Sequence, residues 1–295
     1  MKNGKVTLLA PAKINLYFGV IGMRDDGYHE VQTVMQTIDL FDRVSVEVRD
    51  GDDNAVHVNC KELNWLKEED NIAFKAAAAY LYRAGAEKTV VDINIEKKIP
   101  DGAGLGGGST DAATVLLALN MIDDDRFSLI ELCEIGQMIG SDVPFCVKKG
   151  TVTATGFGEI LESAAPMPDC RILIAMPKGE KTNTAEAYSK LLPQGYPSGV
   201  ENMKIALAEC DMKKMAAAMK NDFEKICEAD SLSIKLKNKL TELGAVAAQM
   251  SGSGPAVFGI FKDQAEAKSA KEQLDGMAEL YICAPARRDY AYLEK

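Results

Sequence analysis

Between residues 100 and 111 the chain reads Pro-Asp-Gly-Ala-Gly-Leu-Gly-Gly-Gly-Ser-Thr-Asp, with five glycines among the seven residues from Gly102 to Gly108. Glycine lets a backbone approach a ligand closely, and free N–H groups at a helix start favour an anion. Phosphate is the default ligand of such a loop. The hydroxyls of Ser109 and Thr110 follow at once, for phosphate or for Mg²⁺. A plain strand-to-helix turn is the alternative, but it needs fewer glycines. A P-loop is excluded, because Gly102 and Gly107 have its spacing but Gly108 stands where its lysine should be. A dinucleotide fingerprint, Gly102-x-Gly104-x-x-Gly107, is met in form. It should lead through a helix to a second strand ending in an acid, whereas here Asp123-Asp124-Asp125 and a new helix start follow. What remains is a kinase-type nucleotide site of neither P-loop nor protein-kinase kind. N–H groups and a helix dipole hold its phosphates, and the nucleotide supplies most Mg²⁺ ligands.

Composition narrows the chemistry further. The 295 residues carry 34 Lys+Arg, 44 Asp+Glu and only two histidines, His29 and His57, for a net charge of −10. An acidic chain is a poor general binder of nucleic acid, though one small anion needs only a local site. Two histidines make no His-rich zinc site, so no residue is assigned as a metal ligand. Chemistry is left to carboxylates, lysine, hydroxyls and backbone. Seven scattered cysteines without a C-x-x-C read as reduced thiols and a cytoplasmic setting. No apolar run reaches the roughly 18 residues of a membrane span, and the N-terminal residues do not read as a signal peptide.

These residues need elements to hold them. Ala12, Ile14, Leu16, Phe18 and Val20 alternate along a strand, which puts Lys13, Asn15 and Tyr17 on its other face. Asp25-Asp26-Gly27 signals a turn, and Val44, Val46 and Val48 alternate again. A strand near 55–59, a helix over 71–84 stopped by Gly85, and a strand over 90–95 lead to the glycine loop. Helices follow over 112–121, from a capping box at Ser128 to Gly140, and after Ser141-Asp142-Val143-Pro144. A hairpin is expected over 150–161. Composition shifts near Pro166-Met167-Pro168, which divides the chain into domains 1–165 and 166–295. The second is read as a strand over 171–176, helices over 184–191, 203–208, 212–219, 223–229 and 231–243, and strands over 245–249 and 256–261. Between those last two strands lies a second glycine loop, Met250-Ser-Gly-Ser-Gly-Pro255. A helix from Gln264 and a strand over 279–283 close the chain.

Three segments, Ala10-Pro-Ala-Lys-Ile-Asn15, Pro100–Asp111 and Met250–Pro255, together resemble the GHMP small-molecule kinases, named for galactokinase, homoserine, mevalonate and phosphomevalonate kinases. The resemblance spans essentially the whole chain. Asp26-Gly27-Tyr28-His29-Glu30 and Gly140-Ser141-Asp142-Val143-Pro144-Phe145 narrow it to a branch acting on a cytidine-diphosphate alcohol. The implied fold has an N-terminal domain like part of ribosomal protein S5 and a C-terminal ferredoxin-like domain, with the site between them. The implied reaction passes the γ-phosphoryl of ATP, with Mg²⁺, to the 2-hydroxyl of 4-diphosphocytidyl-2-C-methylerythritol, in non-mevalonate isoprenoid synthesis. A small-molecule substrate and a monomer or weak homodimer are expected, with no nucleic acid or membrane partner.

The resemblance implies roles, and each has a plainer alternative. Asp142 matches the catalytic aspartate that takes or orients the hydroxyl proton; otherwise it caps a short helix. Lys13 matches the catalytic lysine; otherwise it is a solvent-face lysine. Pro100, Asp101, Gly102, Ala103, Gly104, Leu105, Gly106, Gly107, Gly108, Ser109 and Thr110 would bind ATP, with Asn71 and Lys97 near the adenine. Asn15 would meet substrate or phosphate. Tyr28 would stack on cytosine and His29 read its edge. In Thr184-Ala-Glu-Ala-Tyr188, Thr184 is assigned to substrate and Tyr188 to the other face of the base; helix packing is the alternative for Tyr188. Met250–Pro255 would lie against substrate phosphates, or simply form a glycine hairpin. One departure is Thr155, where the family pattern expects arginine before Gly156-x-Gly158-Glu159. Competing functions are another GHMP kinase, against which Tyr28-His29 speaks, a dinucleotide oxidoreductase, and a non-catalytic nucleotide module, against which Lys13 and Asp142 speak.

Overall fold

The computed structural model describes residues 1–23, 29–180, 182–193, 195 and 199–287. Tyr28 lies outside them. Two long antiparallel strands, β1 (Gly4–Met23) and β2 (His29–Asp50), dominate the first fifty residues. Both faces of β1 are covered from Ala10 to Ile21, so the alternation read over Ala12–Val20 marks only part of a longer strand.

The pairing of β1 with β2 shifts register three times. Pro11, which has no N–H to give a ladder, faces Phe41, but Lys13 already faces Thr37. Residues 38–40 of β2 therefore bow out, and the chain's last described segment fills the space. There Ile38 bridges Pro285, Asp39 N–H donates to Ala284 O at 3.1 Å, and Ala286 N–H donates to Thr37 O at 2.8 Å. A second shift lies between Asn15, opposite Met35, and Tyr17, opposite Val34. A bulge of this kind re-aims the side chains that follow it.

Next come β3 (Ala55–Cys60), α1 (Ile72–Ala84) and β4 (Thr89–Glu96). The Asn71 side chain caps α1 by accepting from Ala73 N–H at 2.9 Å, and Gly85 ends it at φ +62°. After the glycine loop follow α2 (Gly107–Ile122), α3 (Leu129–Gln137) and α4 (Val143–Lys148). Ser128 and Glu131 form the expected capping box of α3. The strands β5 (Thr151–Thr155) and β6 (Ile160–Ser163) make the hairpin. Among the described residues the first sheet runs β3-β4-β2-β1, with β5 and β6 off β2, and α1 and α2 share its core.

The second half holds β7 (Arg171–Pro177), α5 (Thr184–Ser189), α6 (Gly199–Ala208) and α7 (Met212–Ala218). Then come β8 (Lys220–Asn221), α8 (Leu232–Glu242), β9 (Ala247–Met250), β10 (Val257–Phe261), α9 (Gln264–Gln273) and β11 (Ala278–Cys283). The second sheet has the order β11-β7-β10-β9, all antiparallel. The succession β7-α8-β9-β10-α9-β11 is a ferredoxin-like β-α-β-β-α-β path, interrupted by α5 to β8. The two halves interlock, because β8 pairs with β1 through Tyr17 and Lys220. The helix expected over 223–229 is instead a 3-10 turn, Asp222–Ile226. Asp222 is drawn inward to accept from Val20 N–H at 2.9 Å, and the Asn221 side chain takes Phe223 N–H at 3.0 Å.

Candidate active site

A cleft of about 340 Å³ opens where the two halves meet. Its floor is β1 and β2, one wall is the first glycine loop, and the tip of the β5–β6 hairpin and residues 140–142 form another. The second half closes it with Thr184, Tyr188, Phe223, Gly252 and Ser253.

Lys13 lies on the floor, its side chain only 5% exposed, so it is no solvent-face lysine. Its Nζ stands 3.3 Å from Asp142 Oδ2 and donates to Asn15 Oδ1 at 2.8 Å. Asn15 is held in turn, donating through Nδ2 to Thr33 Oγ1 at 2.9 Å, and Thr33 Oγ1 donates to Tyr17 O at 2.6 Å. This chain of bonds sets the Asn15 amide with its oxygen toward the ammonium. Asp142 precedes α4 but makes no side-chain cap bond, so the capping alternative is not realised. Its side chain is 37% exposed and faces Lys13 across the cleft.

The glycine loop is seated on β1 and on the second loop. Lys13 N–H donates to Leu105 O at 2.9 Å, and Ala256 N–H donates to Ala103 O at 3.2 Å. Ser251 Oγ donates to Gly104 O at 2.9 Å. A Cβ on Gly104, at φ +77°, would overlap the Ser251 carbonyl, and one on Gly106 would meet Lys13 Cγ at 2.9 Å. Glycine is thus required by close approach at both positions. Thr110 N–H donates to Gly106 O at 2.9 Å and opens the bonding of α2. The N–H groups of Gly107, Gly108 and Ser109 precede that bond, at residues that line the cleft. Among the described lining residues Lys13 is the sole cation. Positive potential must come from it and from the helix N-terminus.

At the other end stands a group of rings. Phe18 stacks on Phe223 with centroids 4.8 Å apart, and Tyr188 meets Phe223 edge-on at 5.0 Å. His29 lies 5.4 Å from Tyr188 with its plane tilted 42°, and its Nε2 is buried with no hydrogen-bond partner among the described residues. Burial raises the Tyr188 hydroxyl pKa, and the Asp142 charge adds to the rise. Thr184 Oγ1 shares a hydrogen bond of 3.1 Å with Ser253 Oγ.

The cleft thus brings together Lys13, Asn15, Asp142, Thr184, Tyr188, Ser109 and most of the first glycine loop. Five expected contributors among the described residues do not line it. His29 packs beside Tyr188 with its Nε2 buried. Leu105 is buried and gives its carbonyl to Lys13. Thr110 is fully buried behind the loop, which leaves Ser109 as the available hydroxyl. Asn71 spends its side chain on the α1 cap, and its neighbour Ile72 reaches the cleft instead. Lys97 turns inward to Asp42 and Asp111. Tyr17 also leaves the expected face. The bulge after Asn15 buries it, and Phe18, assigned to the opposite face, enters the cleft. Phe223 and Phe157 carried no local signal in the sequence, whereas Gly158 stands in the Gly156-x-Gly158-Glu159 pattern. Thr155 ends β5 opposite Ile160 and does not line the cleft.

Comparison with known proteins bears on this geometry. The model of the GHMP kinases N terminal domain matches residues 71–150, and that of the GHMP kinases C terminal region matches residues 203–279. A 4-diphosphocytidyl-2-C-methyl-D-erythritol kinase of Alkaliphilus metalliredigens (strain QYMF) is 39% identical over 273 residues, 92% of each chain. A protein of the same name from Listeria monocytogenes serotype 4a (strain HCC23) is 38% identical over 285 residues, 95% of this chain and 96% of that one. A crystal structure of a 4-(cytidine 5'-diphospho)-2C-methyl-D-erythritol kinase superposes with a TM-score of 0.80 at 32% identity, covering 95% of this chain and 99% of the other. A homoserine kinase from Cytophaga hutchinsonii ATCC 33406 reaches 0.78 at 19% identity, over 96% of each chain, a likeness of fold. The two-domain α+β architecture expected from the resemblance is the architecture of this chain.

Proposed function

The chain belongs to the GHMP kinases, and within them to the 4-diphosphocytidyl-2-C-methyl-D-erythritol kinase family; on that premise we propose that it transfers the γ-phosphoryl group of ATP to the 2-hydroxyl of 4-diphosphocytidyl-2-C-methyl-D-erythritol. The product is an isoprenoid precursor of the non-mevalonate route. The observation that carries the reading is the Lys13–Asp142 pair, 3.3 Å apart beside the start of α2.

The acceptor hydroxyl binds at this pair. Asp142 takes its proton, or holds it in line, as the oxygen attacks the γ-phosphorus. One O–P bond forms, the bond from the γ-phosphorus to the bridging oxygen breaks, and ADP leaves with that electron pair. Lys13 and the N–H groups of Gly107 and Gly108 stabilise the charge on the transferring group. Asn15 keeps the ammonium in place through Oδ1. The rings of Tyr188, Phe18 and Phe223 suit a planar base.

Ser109 is the hydroxyl at the helix start that would hold a Mg²⁺ brought by the nucleotide, which would neutralise phosphate charge. Among the described residues no three His, Cys, Asp or Glu side chains gather as a metal site. The seven free thiols support a reducing, cytoplasmic setting. Among the described residues no helix is long and apolar enough to cross a membrane. One chain supplies the pair, the loop and the rings, which supports action as a monomer or weak homodimer. The net charge of −10 speaks against nucleic acid as a partner. Two separate sheets support the division at 165/166, although β8 and residues 284–286 reach back across it.

The test is ADP release with ATP, Mg²⁺ and the diphosphocytidyl alcohol. Turnover of that acceptor, and none of homoserine or mevalonate, is expected. The reverse pattern would move the chain to another GHMP kinase activity.

A further inference from the structure

Lys97 lies beneath the phosphate loop, and its chemistry is fully engaged there. Its Nζ is 2.5 Å from Asp42 Oδ2 and 2.6 Å from Asp111 Oδ2, and its side chain is 7% exposed. Both carboxylates are buried. Burial works against the Lys97 charge, yet Asp111 and Asp42 more than offset it and raise its pKa, while burial, with the Asp42 charge, outweighs Lys97 and pushes the Asp111 carboxyl up to about 8. Hydrogen bonds to a charged group in a dry site are strong and intolerant of displacement.

The three residues come from separate places that flank the loop. Asp42 is on β2 and also accepts Lys98 N–H at 2.5 Å and Ile99 N–H at 2.8 Å through Oδ1. Those are the two residues before Pro100, where the loop begins. Asp111 is on α2, four residues beyond the helix's first residue, where the loop ends. Both ends of the loop are therefore fastened to one ammonium. A Cβ on Gly107 would lie 3.2 Å from Lys97 Nζ, so the first residue of α2 rests directly on it.

We infer that Lys97, with Asp42 and Asp111, is a positioning clamp for the phosphoryl donor: it sets where the first N–H groups of α2 stand relative to Lys13, and it does not touch the nucleotide. This inference rests on the kinase reading above. It opposes a placement of Lys97 against the adenine, and the two make opposite predictions.

Asp111→Asn keeps the shape of the side chain and leaves Lys97 one carboxylate. A looser clamp misplaces the donor site, so KM for ATP rises roughly tenfold. KM for the diphosphocytidyl alcohol stays within about twofold, because the alcohol does not read the clamp, while kcat falls together with the rise in KM for ATP, because the N–H groups of Gly107 and Gly108 also hold the transferring group. Were Lys97 a nucleotide ligand, freeing it would leave KM for ATP unchanged or lower it, and that result overturns the inference. A merely stabilising triad would cut the active fraction, and with it kcat, at constant KM for ATP; that also overturns it. Lys97→Gln should show the same one-sided KM rise. If that variant does not fold, Asp111→Asn decides alone. The parent reading fails separately: a wild-type protein that turns over a different alcohol loses its assigned acceptor, while the ATP measurements are made on the alcohol it does use.

Discussion

The two ends of the cleft are built by opposite means. At the proposed phosphate end the cleft wall is backbone. The N–H groups of Gly107, Gly108 and Ser109 precede the first bond of α2, and the side chains of Lys97, Asp42 and Asp111 lie behind the loop. At the other end the surface is side chain: Phe18 from β1, Tyr188 from α5 and Phe223 from the turn after β8. A polyanion needs many donors at close range, which backbone gives cheaply at a helix start. A planar base needs apolar faces, which only rings supply. The first design is local in sequence, and the second is assembled from segments some 200 residues apart.

The comparison is broken most severely at the point the two ends share. Asp142→Asn keeps the size of the side chain and removes the proposed base. A loss of about 10²–10⁴ in kcat is expected, with nucleotide binding nearly intact. Rapid-quench turnover with calorimetric titration of Mg·ADP measures both; a variant that keeps its kcat ends the role of base. Gly104→Ala strikes the phosphate end alone. Its Cβ would run into the Ser251 carbonyl at a φ of +77°. Left-handed backbone costs an alanine roughly 1–2 kcal/mol, and displacing the second loop brings the total to about 3 kcal/mol. Gly179→Ala, at φ +76° with nothing within 4 Å, is the control, and only the backbone part, about 1 kcal/mol, is expected there. Urea titration separates the two; equal losses would mean that the loops do not depend on their contact.

The same contrast explains what the sequence discloses. Five glycines in seven residues leading into a helix disclose the phosphate end, because the physics that holds phosphate acts over a few successive residues. The α3 cap at Ser128 is equally local and equally visible, whereas the resemblance sets Asn71, the cap of α1, beside the adenine. The aromatic end is hidden for two reasons. Alternation assigns Tyr17 to the side of Lys13 and Phe18 to the side of the core, and a single bulge after Asn15 reverses this. Bulges arise from how a partner strand is gripped, and here β2 is paired over Thr33–Gln36 with β5, more than a hundred residues away, so no short window contains it. Phe223 is presented by a 3-10 turn whose shape depends on Asp222 bonding to β1. The burial of Lys97 escapes for a like reason: Asp42 and Asp111 lie 55 residues before it and 14 after.

Smaller effects sharpen the distinction. Tyr188→Leu keeps apolar bulk on α5 and removes the flat face and hydroxyl. Loss of one base–ring contact is worth about 1–3 kcal/mol, so KM for the diphosphocytidyl alcohol should rise roughly tenfold or more while KM for ATP stays constant. A matched rise in both constants would show that the ends are one structural unit and not two designs.

The mildest test is the hydroxyl pair that closes the aromatic end, Thr184 and Ser253. Thr184→Val conserves volume and deletes one partner. Both residues line the cleft and neither is deeply buried, so water can satisfy the remaining Ser253 hydroxyl. The cost is then the net value of one hydrogen bond, about 1 kcal/mol, or roughly a fivefold rise in KM for the alcohol. Because Ser253 belongs to the second glycine loop and Ser251 of that loop bonds Gly104, any strain passed along it would show at the phosphate end. An unchanged KM for ATP in Thr184→Val would mean that the second loop holds its place through Ser251 and Ala256 whatever happens at Ser253. A KM for ATP that rises with that for the alcohol would make the second loop the route by which the two ends feel one another.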